Sequence, residues 1–84
     1  MTIDLELIGR PGCHLCAAAR DVVLAVCANE PDVQLIERSI DDDAELREAY
    51  HDEIPVVRLN GVQHSYWSVD PARLRAALAA IRAR

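Results

Sequence analysis

Phenylalanine is absent from the 84 residues, and only Tyr50, Tyr66 and Trp67 are aromatic. A core without large rings to draw on has to be assembled from Leu, Ile, Val and Ala. Positive charge is also scarce. Nine basic residues against 14 acidic ones leave a net charge of −5, which argues against nucleic acid or an anionic membrane surface as partner, since both need clustered cations. Four of the basic residues (Arg73, Arg75, Arg82, Arg84) fall in the last twelve positions, where they read as the solvated face of a helix. No run approaches the roughly 18 apolar residues of a membrane span. The opening MTIDLELIG has acids within its apolar run and lacks the basic lead-in of a secretion signal. A cytoplasmic location is therefore expected, where lasting structural disulfides are rare. Three cysteines, an odd number, also fit a disulfide scaffold poorly. No repeat or linker divides residues 1–84, so one domain is expected, small enough that its core must be used efficiently.

What is present has a clear order. Ile3, Leu5 and Leu7 alternate with Asp4 and Glu6, a period of two that predicts a strand with one face covered. Gly9, Pro11 and Gly12 break it into a loop. From Cys13 to Ala28 there is neither Pro nor Gly, and Leu15, Ala19, Val22, Val23, Val26 and Cys27 keep helical spacing, predicting a helix mostly enclosed against the sheet. Val33 to Ile40 reads as a second strand, parallel to the first because a long helix intervenes. Asp41, Asp42 and Asp43 open a second helix, with Asp42 and Glu45 at capping-box spacing; helix initiation is a better reading of this run than a metal site, since ligand spacing is missing. Ile54 to Leu59 predicts a third strand, Asn60-Gly61 a type I′ hairpin turn, and Val62 to Tyr66 the returning strand. Asp70-Pro71 caps a last helix whose apolar face is Leu74, Ala77, Leu78 and Ile81. The fold class is α/β, in the order β-α-β-α-β-β-α.

Within that order Cys13 and Cys16 stand where a strand hands over to a helix. Free N–H groups and the helix dipole stabilise a thiolate there, and Arg10 adds positive charge. A separation of three residues permits a disulfide. Cys13 is the expected nucleophile and Cys16 the resolving thiol, more enclosed and holding its proton more tightly. The alternative is half of a zinc site, which needs two more ligands; His14, His51, His64 and Cys27 are the candidates, and none forms a second close pair. Two idle cysteines are the remaining reading. Cys27 reads as a small core residue, and His14 as either a tuning group or a solvated side chain.

With these elements in place, the chain resembles glutaredoxins and other thioredoxin-fold proteins, and most narrowly the short bacterial glutaredoxin-like proteins. Arg10-Pro11-Gly12-Cys13 matches the segment before the first glutaredoxin cysteine, and Ile54-Pro55 matches the cis-proline position. The resemblance implies a four-stranded mixed sheet flanked by three helices and a monomeric dithiol–disulfide oxidoreductase. Its substrates would be protein or glutathione-mixed disulfides, with no resident cofactor or metal and glutathione as candidate co-substrate. It also implies substrate-binding roles for Arg10, Ile54 and Pro55. The chain departs from glutaredoxins after the hairpin, where a Gly-Gly pair is usual and Ser65-Tyr66, then Trp67, stand here. Tyr66 and Trp67 either flank the thiols or cover the core; beside the thiols they would bind substrate, weakening use of glutathione and favouring an apolar segment of a protein substrate. A metal- or iron–sulfur-binding module of the same fold, or an interaction domain without redox turnover, is the alternative.

Overall fold

The computed structural model describes residues 1–84. Its elements are β1 (Ile3–Gly9), α1 (His14–Cys27), β2 (Val33–Ser39), a 3₁₀ turn (Ile40–Asp42), α2 (Ala44–Tyr50), β3 (Val56–Leu59), β4 (Val62–Tyr66) and α3 (Pro71–Arg82). The sheet runs β2-β1-β3-β4, with β1 parallel to β2 and antiparallel to β3, and β3 antiparallel to β4. This is the expected thioredoxin-like order.

Local chemistry accounts for most of the boundaries. Asn60 and Gly61 both take positive φ, +50° and +84°, as a type I′ turn requires. Asn60 also bonds β1, accepting through Oδ1 from the Asp4 N–H at 2.9 Å and donating its own N–H to the Asp4 carbonyl at 2.8 Å. Asp70 accepts from the N–H groups of Ala72 and Arg73 at the head of α3. At α2 the cap is Asp43, which accepts from Glu45 and Leu46, and not Asp42. Asp41 and Asp42 are absorbed by the 3₁₀ turn, itself begun by Ile40 and capped by Ser39, so of the acidic run only Asp43 starts a helix.

The two faces of the sheet are covered unequally. Ile3, Leu5 and Leu7 point to the face shared by α1 and α3, where they join Ala19, Val23, Val26, Leu74 and Leu78 in a cluster of 11 buried residues. The opposite face holds four, Ile8, Ile40, Leu46 and Val56, with Tyr50 and Ile54 packed against them. Glu6 lies on this second face and, contrary to the alternation read from sequence, is only 8% exposed. It accepts from Arg38 Nε at 2.6 Å and from Arg58 at 3.0 and 2.7 Å. A carboxylate is tolerated there because both its oxygens are bonded to cations.

Helix α1 is less enclosed than its composition predicts. Ala19, Val23 and Val26 are buried, while Leu15 is 55% and Leu24 39% exposed. In β4, Gln63 pairs with Arg58 and Ser65 with Val57, so His64 is the extra residue of a bulge.

Candidate active site

Cys13 is the N-cap of α1, with extended backbone (φ −91°, ψ 116°). Its Sγ accepts a hydrogen bond from the Cys16 N–H at 3.2 Å. A capping sulfur therefore occupies the place usually taken by a Ser or Asp oxygen, aimed at the free N–H groups of the first turn. Negative charge on that sulfur is stabilised by the N–H and by the positive end of the helix dipole. The two thiols are free and each is partly buried.

Cys16 is held differently. Burial first, then the hydrogen bond with Cys13, push its pKa up to about 11 from 9.0, against an opposing pull from the Arg10 backbone N–H. Its partner in packing is Gly9 at the end of β1: a Cβ on Gly9 would come within 2.9 Å of Cys16 Sγ. Gly9 is therefore the residue that lets the helix sulfur rest on the strand, a role the sequence reading missed by treating it as a loop breaker. The discoverable signal is a glycine closing a strand directly before the cysteine loop. Cys27, at the far end of the helix, is partly buried and its pKa is raised by burial and by Glu30.

A cleft of about 300 Å³ opens beside the pair, lined by Arg10, Pro11, Gly12, Cys13, Cys16, Ala17, Arg20 and Glu37 among others. Arg10 bonds Asp41 at 2.7 Å and Arg20 bonds Glu37 at 2.6 Å. Ile54, Pro55, Tyr66 and Trp67 do not line this cleft. The Ile54–Pro55 bond is cis, as expected, and Pro55 is buried. Since Val56 pairs with Ile8, extending the register by one residue sets Pro55 opposite Gly9, on the strand where Cys16 rests. Ile54 packs on the Ile8–Leu46 cluster.

Trp67 shares a crevice with Leu15 of the motif, whereas Tyr66 lines a separate groove with Glu53, His64 and Arg73. Trp67 has φ +66°, a left-handed backbone unusual for a bulky residue. Two bonds hold it there: its N–H donates to the Glu53 carbonyl at 3.1 Å and its Nε1 to the Asp52 carbonyl at 2.9 Å. Trp67 lines a small crevice together with Leu15 and Val22 of α1, and the Tyr66 ring meets its ring edge-on with centroids 5.0 Å apart. The residue in the glycine-like conformation is thus Trp67, one beyond the Ser65-Tyr66 pair singled out in the sequence. Leu15, inside the motif, was read as a core position by its spacing from Ala19 but is exposed. No group of three or more His, Cys, Asp or Glu side chains is arranged to hold a metal ion, and no helix is long and apolar enough to cross a membrane.

Residues 4–79 match the family described as glutaredoxin-like domain (DUF836). The chain is 38% identical over 81 residues to the uncharacterized protein Rv0508 of Mycobacterium tuberculosis, spanning 90% of this chain and 82% of that one. The solution structure of target protein XcR50 from X. campestris is 38% identical, with a TM-score of 0.72 over 90% of this chain and 92% of that one. Thioredoxin of Fasciola hepatica superposes with a TM-score of 0.70, over 94% and 80% of the two chains, at 17% identity. That last likeness is one of fold alone.

Proposed function

Because the chain belongs to the glutaredoxin-like domain family, we propose that it is a dithiol–disulfide oxidoreductase with Cys13 as nucleophile and Cys16 as resolving thiol. The observation that carries this reading is the asymmetry of the pair. Cys13 Sγ sits at a helix N-terminus and accepts an N–H, while Cys16 is held protonated by burial.

The steps follow from that asymmetry. The Cys13 thiolate attacks one sulfur of a substrate disulfide, a Cys13–substrate S–S bond forms, and the substrate bond breaks to release a thiolate that takes up a proton. Charge on Cys13 is then gone, removing the contribution that its hydrogen bond and its charge make to keeping Cys16 protonated. Cys16 loses its proton and attacks Cys13 Sγ, and the second substrate thiol leaves. The substrate has gained two electrons and two protons, and the pair has become a disulfide. A thiol reductant, glutathione or a protein dithiol, returns the pair to its starting state by the same exchange.

Protein disulfides are the favoured substrates and glutathione mixed disulfides the poorer ones, because Ser65-Tyr66, followed by Trp67, stand where glutaredoxins keep a Gly-Gly pair. Arg10, Ile54, Pro55, Tyr66 and Trp67 are assigned to substrate contact, in a monomer working in the cytoplasm. The test is reduction of insulin disulfides together with trapping. Wild type turns over, Cys13→Ser is inert, and Cys16→Ser accumulates a covalent Cys13–substrate adduct visible by mass spectrometry. Turnover by Cys13→Ser, or no adduct with Cys16→Ser, overturns the assignment.

A further inference from the structure

Glycine stands at three positions, and at two of them the backbone needs it. Gly12 and Gly61 take φ of +80° and +84°, with nothing within 4 Å of the place a Cβ would occupy. Gly9 is the reverse case. It has no positive φ and pairs with Ser39 in the parallel ladder like any strand residue. Yet a Cβ there would lie 2.9 Å from Cys16 Sγ and 3.1 Å from Cys16 Cβ. What Gly9 supplies is space.

That space has a definite place in the packing. Ile3, Leu5 and Leu7 belong to the core under α1 and α3, and a period of two carries their row on to Gly9, the last residue of β1. From the helix, Ala19, Val23 and Val26 enter the same core, and Cys16 stands on their stripe, one turn before Ala19. Row and stripe meet where the strand has no side chain, and the Cys16 sulfur fills the gap. Burial is the first cause of its raised pKa. No atom of Cys13 comes within 4 Å of the same point, so the contact distinguishes the two thiols.

We propose that Gly9 is a positioning residue: the space at its α-carbon holds the Cys16 sulfur in reserve against β1, so that Cys13 is the thiol that attacks a substrate disulfide first. The inference rests on the oxidoreductase reading and adds what sets the order of attack. A methyl group at position 9 pushes the sulfur out of the gap. A sulfur with more water around it gives up its proton more readily, and Cys16 then competes with Cys13 for the substrate.

The test takes Cys13→Ser as its background, since serine keeps a capping oxygen at the head of α1 and leaves Cys16 and Cys27 as the remaining thiols. The reagent is the symmetrical disulfide of thionitrobenzoate. A protein thiolate attacks one of its sulfurs, a protein–thionitrobenzoate S–S bond forms, the reagent bond breaks, and coloured thionitrobenzoate leaves. Peptide mapping assigns the adduct to Cys16 or Cys27. Adding Gly9→Ala should speed the reaction at Cys16 about tenfold at neutral pH, the gain in thiolate for one unit lost in pKa. The pH midpoint of that reaction should fall as well. A rate and a midpoint that stay where they were overturn the inference. Stability gives a second reading: Gly9→Ala should lower the urea midpoint while Cys16 is present, and clearly less beside Cys16→Ala, because the nearest contact is with the sulfur. If Gly9→Ala alone does not fold, Cys16→Ala should restore folding. Equal losses, or no rescue, would mean that the glycine serves the strand and overturn the inference. Labelling of the wild type keeps the redox reading separate: that reading fails if Cys13 reacts no faster than Cys27.

Discussion

The face of the sheet under α1 and α3 and the face under α2 share one central strand and are built by opposite means. On the first, Ile3, Leu5 and Leu7 meet two long helices, and 11 residues are buried together. On the second, the seven residues of α2 cover only the end of the sheet nearest the cysteine loop, where Ile8, Ile40, Leu46 and Val56 cluster. Farther along, Glu6, Arg38 and Arg58 replace apolar cover with an ion-paired network. The thick face supplies stability through burial. The thin face places Ile54 and the 3₁₀ turn whose Asp41 pairs with Arg10. Stability and positioning are thus divided between the two sides of β1.

Truncation should separate the two roles, and the largest effect lies on the thick face. Leu78 is fully buried, so Leu78→Ala should cost about 3 kcal/mol or more, within the range for leucines whose cavities cannot collapse. Leu46, 8% exposed on a short surface helix, has neighbours freer to relax, and Leu46→Ala should cost about 2 kcal/mol. Urea unfolding reads both. Activity should fall in the reverse order at a temperature where both variants are folded, because Leu46 supports the cluster on which Ile54 packs. Equal loss of activity in the two would break the division of labour.

The ionic part of the thin face gives the next effect and a pH dependence. The hydrogen bond from Arg58 is the largest influence holding the Glu6 carboxyl below its ordinary 4.5, ahead of burial, which opposes it. A carboxyl whose folded pKa is depressed contributes stability that is complete above the unfolded value and is lost as pH falls through the folded one. Glu6→Gln should therefore cost about 1.5 kcal/mol at pH 7, the lower end for bonds to charged groups because Arg38 is half-exposed and screened. The wild-type advantage should shrink below pH 4.5. An urea midpoint difference unchanged between neutral and acid pH would place the stabilising interaction elsewhere.

Much of this division was legible in the residues. The strand–helix order, the Asn60-Gly61 turn, the Asp70-Pro71 cap and the cysteine pair at the head of α1 all rest on signals local to a few positions, and local signals survive in the fold. The features that escaped depend on which distant segment arrives. Leu15 has the spacing of a core residue but is 55% exposed, and the buried positions of α1 are Ala19, Val23 and Val26. Glu6 reads as solvent-facing until Arg38, 32 positions away, and Arg58, 52 away, converge on it. Gly9 reads as a loop breaker until Cys16 Sγ is placed against it. Trp67 gives no sequence hint of positive φ, because the carbonyls that fix it come from Asp52 and Glu53.

The smallest effect sharpens the thin face at a single atom. Three consecutive aspartates each qualify as caps by type, and only Asp43 bonds the α2 N–H groups, at 2.9 Å to Glu45 and 3.1 Å to Leu46. Removing it leaves donors of the first turn to water in a helix with few contacts to compensate. Asp43→Ala should thus cost about 1 kcal/mol, the usual loss of a capping side chain. Asp42→Ala should stay within about 0.5 kcal/mol, like other surface changes. The two substitutions remove the same charge from neighbouring positions, so their general electrostatic effects nearly cancel in the comparison. Thermal unfolding at pH 7 reads the difference, and amide exchange at Glu45 and Leu46 localises it. Equal destabilisation by both would mean that negative charge near the helix start, and not the hydrogen bonds of one carboxylate, holds α2 against the sheet.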